Sequence, residues 1–301
     1  MTAFDPLLLL PDFLLILTGF GLCRFSTLQR PVWEVVEKLV YHLLFPALLF
    51  ASIVRSPLRP SDAVTLAGAG MAVCLAGMVL AACLQWYKGF DRRLLASGAQ
   101  TAFRFNSYIA LALAERMAGP TGVALIAVLI AVCVPLCNVG AVWFLARHGG
   151  HNTWKEMARN PLIISTLSAL IVKILGIPLP EWLVGTVGRI GQAALPMGLL
   201  AVGAGLRLTG LTVAPTLTTA FLVIRHGLLP LLAQVLGIVL QLPSAEKAIL
   251  LAFGALPTAS SAYVLAVRMG GHGPFVAGLI TLSTLLGMVT VPFWLQALRW
   301  F

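Results

Sequence analysis

Residues 103–119 read FRFNSYIALALAERMAG. Arg104, Asn106 and Ser107 stand together at the head of a run that is otherwise apolar. The chain around them is 59% hydrophobic and 10% charged, with a mean hydropathy of +0.97. Soluble domains carry about 25% charged residues, so most of this surface is expected to face lipid. A basic side chain at the centre of a membrane helix costs about 2.5–3.5 kcal/mol on insertion scales. Arg104 therefore needs a partner or a task.

A spanning helix needs about 20 mostly apolar residues. Ten stretches meet that need: 7–23, 32–54, 63–86, 94–115, 121–146, 160–175, 183–205, 213–240, 246–267 and 273–297. The fold class expected is an all-α membrane protein of ten transmembrane helices, with the bilayer as its surroundings. The first stretch contains Asp12, has no basic region before it and no small-residue cleavage site, and reads as a retained helix rather than a signal peptide.

The formal charge of +10 does not imply nucleic acid, because Lys and Arg collect in cytoplasmic loops of membrane proteins. Connections after odd-numbered spans hold eleven basic residues, among them Arg24, Arg30, Arg147 and Arg207; those after even-numbered spans and the C-terminus hold seven. This places both termini on the periplasmic side of a cell membrane, expected to be a bacterial inner membrane. Arg104 and Arg225 belong to neither set, since both fall within spans. The five cysteines form no paired CxxC motifs and read as small buried residues. No metal site, cofactor motif, phosphate-binding glycine loop, GxSxG or HExxH is present, so the chain does not read as an enzyme.

The chain repeats itself. ALALAERMAGP (110–120) and AYVLAVRMGGH (262–272) agree at six of eleven positions, at an offset of 262 − 110 = 152. LFPALLFA (44–51) and LPMGLLA (195–201) share Pro46/Pro196, Leu49/Leu199 and Ala51/Ala201 at an offset of 150. Two five-span halves follow: 1–147 and 161–301, joined by the polar connection 148–160. Five is odd, so the second half begins on the opposite side of the membrane. Inverted repeats of this kind are characteristic of secondary transporters.

Such carriers hold substrate near the midplane, where interrupted helices from the two halves meet. The fourth span of each half is the candidate. At the shared offset Phe105 aligns with Pro257, Asn106 with Thr258 and Ser107 with Ala259. Pro257 removes a backbone donor and clashes with the preceding turn, and Gly254 loosens the approach to it. Asn106 competes for backbone hydrogen bonds. Thr258, Ser260 and Ser261 suit the restart of a helix, whose free N–H groups attract anions. Arg104 offers a planar fork matched to a carboxylate; alternatively it snorkels to an interface or pairs internally.

RFNSYIALALAERMAG in span 4, LPMGLLAVGAGLRL (195–208) in span 7, ALPTASSAYVLAVRMGG (255–271) in span 9 and LFPALLFASI (44–53) in span 2 resemble the auxin efflux carrier family, which includes bacterial malonate carriers and plant auxin exporters. The resemblance covers essentially the whole chain. It implies a scaffold of spans 1, 2, 6 and 7 and a transport unit of spans 3–5 and 8–10, with broken spans 4 and 9 crossing. It also implies a small organic anion as substrate, malonate-like or auxin-like, and a homodimer through the scaffold. Plant members break both crossing helices at proline. Here Pro257 keeps that feature, whereas Phe105 stands at the equivalent place in span 4.

Other residues complete the list. Asn138, beyond Pro135, faces the cavity or bonds a neighbouring helix. Pro46 and Pro196 read as mechanical kinks. Tyr108 and Tyr263 flank the break, to close over a ligand or merely to pack. Arg225 and His226 interrupt span 8, lining the path or pairing with a half-buried group. Trp294, Trp300 and Phe301 read as interfacial anchors. No acidic residue lies mid-span, which disfavours a carboxylate proton relay. Coupling to sodium stays open, because unwound carbonyls bind it without an acid.

Overall fold

A computed structural model describes residues 10–55, 60–87, 89–145, 161–207, 213–259 and 261–297. The connection 148–160, Ser260, Trp300 and Phe301 lie outside the described residues. The regular structure among the described residues is all helical, with no strand. The helices are α1 (Leu10–Phe25), α2 (Arg30–Leu39), α3 (Phe45–Arg55), α4 (Pro60–Cys83), α5 (Arg92–Gly98), α6 (Ser107–Leu145), α7 (Pro161–Ile174), α8 (Glu181–Gln192), α9 (Ala194–Ala204), α10 (Pro215–Val223), α11 (Leu229–Val239), α12 (Ser244–Ala255), α13 (Ser261–Arg268) and α14 (Gly273–Ala297).

Six helical stretches among the described residues are long and apolar enough to cross a bilayer: Arg30–Arg55, Val64–Trp86, Arg92–Leu145, Glu181–Ala204, Pro215–Val239 and Gly273–Gln296; Ile164–Ile174 is a shorter apolar helix. One of the six is too long for a single crossing. The 39 residues of α6 alone would extend about 58 Å at 1.5 Å per residue, against a hydrocarbon core of about 30 Å. The chain leaves helical geometry at Ala118 and at Gly119, whose φ is 55°. Glycine adopts that conformation without a Cβ clash, and Pro120 then restarts the helix.

Two irregular turns have a proline behind them. A π turn over Val40–Leu44 precedes Pro46, and another over Ile224–Leu228 precedes Pro230. Proline cannot donate to the carbonyl four residues back and crowds it, so the ladder slips by one residue, a π bulge of the kind frequent at functional sites. The carbonyl of His226, four before Pro230, receives the indole N–H of Trp294 at 2.8 Å instead. Trp294 thus ties α14 to this turn.

α1 runs along α9, and α3 lies against α7 and α8. Elsewhere α4 packs on α6, α12 on α11, α6 and α14, and α13 on α14. Where α1 meets α9 the backbones nearly touch: a Cβ at Gly19 would overlap the carbonyl of Leu200, and one at Gly203 the carbonyl of Ile16. Small residues permit this approach in membranes, where helix association relies on close packing.

Candidate functional site

Two interruptions meet inside the helix assembly. α5 passes through a tight turn at Ala99–Ala102 into non-helical residues 103–106, and α6 starts at Ser107. α12 ends at Ala255, residues 256–259 are non-helical, and α13 begins at Ser261. The N–H of Asn106 donates to the carbonyl of Pro257 at 2.9 Å, so each segment satisfies backbone groups that the other leaves open. Thr258 Oγ1 adds a bond to the carbonyl of Thr101 at 2.8 Å.

No proline is needed to interrupt the first segment. Asn106 Oδ1 accepts from the N–H groups of Tyr108 (3.0 Å) and Ile109 (3.3 Å), taking up orphan donors at the start of α6. The Phe105 ring packs on Phe253 of α12 with centroids 4.6 Å apart, which ties one broken segment to the other.

A cleft of about 740 Å³ opens onto this crossing. Its size falls within the range of small-molecule sites, about 300–1,000 Å³. The floor is Arg104, Phe105, Asn106, Ser107, Tyr108, Ala259 and Ser261. Asn138 and Cys137 contribute from α6, and Tyr263 from α13. Tyr108 leans on Phe45, centroids 4.7 Å apart.

Arg104 is 8% exposed, and its partners among the described residues are neutral: its guanidinium donates to Ser261 Oγ at 3.0 Å and to Gln100 Oε1 at 3.4 Å. Among the described residues no carboxylate lies within ion-pair distance of it. Beside it the Nδ2 donor of Asn106, a residue 3% exposed, has no hydrogen-bond partner among the described residues. Burying an amide donor unpaired costs about 1–3 kcal/mol. Both residues line the same cleft.

The other expected site residues are spread more widely. Pro257 and Thr258 support the crossing from behind the cleft. Pro257 borders a separate small void, and Thr258 is 1% exposed, its N–H held by Ser283 Oγ at 2.9 Å. Gly254 lies within the helical part of α12, where a Cβ would press on Ala233 and Pro230. Pro46 and Pro196 fall in the first turns of α3 and α9, and neither borders the cleft. Asp12 and Arg116 form a two-point ion pair between α1 and α6.

The cleft walls also hold residues that the sequence presented only as loop charges. Arg30, Lys38 and Arg207 join Arg104 there, against Glu34 and Glu37. Arg30 pairs with Glu37 at 2.9 Å. Arg207 lies 4.4 Å from the ring centroid of Tyr263 and donates to its hydroxyl at 3.0 Å. The available signal was position: Arg30 opens span 2 and Arg207 follows the end of span 7. Among the described residues no cluster of His, Cys, Asp or Glu suits a metal.

An assembly of apolar helices with a buried cationic cleft at interrupted segments defines a membrane transport protein. Residues 147–295 match the family described as membrane transport protein. The "Putative malonate transporter" of Rhizobium meliloti (strain 1021) is 26% identical over 314 residues, covering 97% of this chain and 95% of that protein. The "Uncharacterized transporter YfdV" of Escherichia coli (strain K12) is 25% identical over 306 residues, covering 97% and 96%. The chain is thus similar to membrane transporters, in keeping with its resemblance to the auxin efflux carriers.

Proposed function

We propose that the protein is a secondary carrier of a small organic anion, a carboxylate, worked by alternating access. The observation that carries this reading is the unmatched pair lining the cleft: among the described residues Arg104 has no carboxylate and the Asn106 amide donor has no partner. A carboxylate would accept from both, and hydrogen bonds to charged groups contribute about 1.5–3 kcal/mol each. Four cations against two carboxylates on the cleft lining leave a positive balance that draws anions inward.

The architecture proposed is ten spans in two inverted repeats. The element offsets support it: Arg30–Arg55 and Glu181–Ala204 start 181 − 30 = 151 residues apart, and α5 and α12 start 244 − 92 = 152 apart. So does the exchange of contacts, span 1 on span 7 and span 6 on span 2. In this reading α1, α3, α7 and α9 belong to the scaffold, and the crossing belongs to the moving unit. The cleft opens at the end of the assembly that carries Arg30 and Arg207, which the charge count assigns to the cytoplasm.

The test is uptake into proteoliposomes. Labelled malonate and an aromatic acid should exchange across the membrane in a saturable way, and Arg104→Ala should lower affinity by roughly 10- to 100-fold, the range expected for a charged hydrogen bond. Saturable binding without flux would sink the carrier reading. Unchanged affinity in Arg104→Ala would remove the anion from this site.

A further inference from the structure

Arg225 is among the largest fully buried side chains, 1% exposed, and lies within an apolar span. Among the described residues it has no carboxylate partner. The π turn over Ile224–Leu228 turns it toward the end of α12, where its Nε donates to the carbonyl of Leu256 and its second nitrogen to the carbonyls of Phe253 (3.1 Å) and Gly254 (3.3 Å). These three oxygens belong to the last turn of α12 and the first residue of the interruption.

Carbonyls at a helix end have no intrahelical donor and carry the negative end of the helix dipole. At membrane depth water does not satisfy them. Carriers built on interrupted helices use such carbonyls to bind a coupling sodium ion. Here the oxygens are already gathered around a cation, one that is covalently tethered and presents its donors in a fixed fork.

We propose that Arg225 is a built-in counter-cation. Its guanidinium fills the carbonyl cage at the interruption of α12, holds the carbonyl of Pro257 in register for Asn106, and leaves the carrier independent of sodium at this point. Arg225 is thus a positioning residue acting on the crossing through α12, and does not touch the substrate. The proposal rests on the carrier reading only for its consequence in transport; its test needs no substrate.

The full-length protein is purified in detergent and its melting midpoint measured in sodium chloride and in choline chloride of equal ionic strength. The wild type should melt at the same temperature in both. Arg225→Ala should melt several degrees lower and recover in a saturable way with millimolar guanidinium or sodium, with no recovery in choline. Arg225→Lys keeps the charge and Arg225→Met keeps the bulk, so the Lys variant should be the more stable of the two. Saturable stabilisation of the wild type by sodium would overturn the proposal. So would a folded Arg225→Ala protein indifferent to both cations. If the Ala variant does not fold, equal stability of the Lys and Met variants overturns it. Failure of anion flux would leave these midpoints unaffected, and failure of the rescue would leave the anion reading standing.

Discussion

The backbone N–H of Asn106 donates to the carbonyl oxygen of Pro257 at 2.9 Å, across 257 − 106 = 151 residues of sequence. One residue of this pair has three jobs. Its backbone ties the crossing, its Oδ1 caps α6, and its Nδ2, without a partner among the described residues, is the donor proposed for the anion. Substitution separates the last two. Asn106→Ala loses the cap and should destabilise by about 0.5–2 kcal/mol. Asn106→Ser keeps a capping oxygen but no amide, so it should melt near the wild type while anion affinity falls roughly 10- to 100-fold, the loss of one hydrogen bond to a charge. Thermal unfolding and binding titration on the two variants check this; equal binding by Asn106→Ser and wild type would show that the amide is not used.

The cleft should be accessible from one side only. Val142 lines it, whereas Ala112 borders the small void on the other side of the crossing and is 3% exposed. In a protein whose five cysteines are replaced, Val142→Cys should react with a membrane-impermeant thiol reagent from the face carrying Arg30 and Arg207, and Ala112→Cys from neither. Labelling of both from one face would mean that the barrier is not at the crossing.

How much of this was readable in the chain follows from where the physics is local. The apolar spans and the Pro257 interruption are local properties, and the sequence shows them directly. The loss of helix at residues 103–106 is only partly so. Asn106 signals a cap, but Phe105 gives no breaking signal, and its packing on Phe253 ties it to a segment far along the chain. Arg225 was visible as an ionisable residue in a span, yet its partners are carbonyls about 30 residues away, and carbonyls leave no mark in a sequence. Arg30 and Arg207 were hidden because loop arginines are common in membrane proteins and the fold alone turns these two inward. The partner of the Thr258 hydroxyl, the carbonyl of Thr101, is likewise far away in the chain and unmarked in the sequence.

The ion pair of Asp12 with Arg116 should hold the closed end. Arg116 lies nine residues beyond Ser107, about 14 Å along α6, and it joins α6 to α1 past the void that Pro257 borders. That void is about 20 Å³, room for a single water. Asp12→Asn removes the charge and keeps the shape. Hydrogen bonds to charged groups contribute about 1.5–3 kcal/mol, and with Arg116 41% exposed the lower end applies. The expected outcome is a modest fall in melting midpoint together with new reactivity of Ala112→Cys. A fall in stability with Ala112→Cys still silent would make the pair structural rather than a latch.

The contact of α1 with α9 should tolerate no added atom at two points. Helices in lipid gain little from burying apolar surface, because the lipid is as apolar as the partner, so their association depends on close approach. At Gly203 a methyl group would occupy the place of the Ile16 carbonyl, and at Gly19 that of the Leu200 carbonyl, while Gly21, two residues along the same helix, has open space. Backbone cannot yield as a flexible side chain can, so Gly203→Ala and Gly19→Ala should each cost about 1–3 kcal/mol, the usual range for overpacking. Gly21→Ala should be neutral or slightly stabilising, since alanine is the better helix former by about 1 kcal/mol. Melting midpoints of the three variants in one detergent decide it: if Gly21→Ala falls as far as the other two, the helices do not meet along the face described.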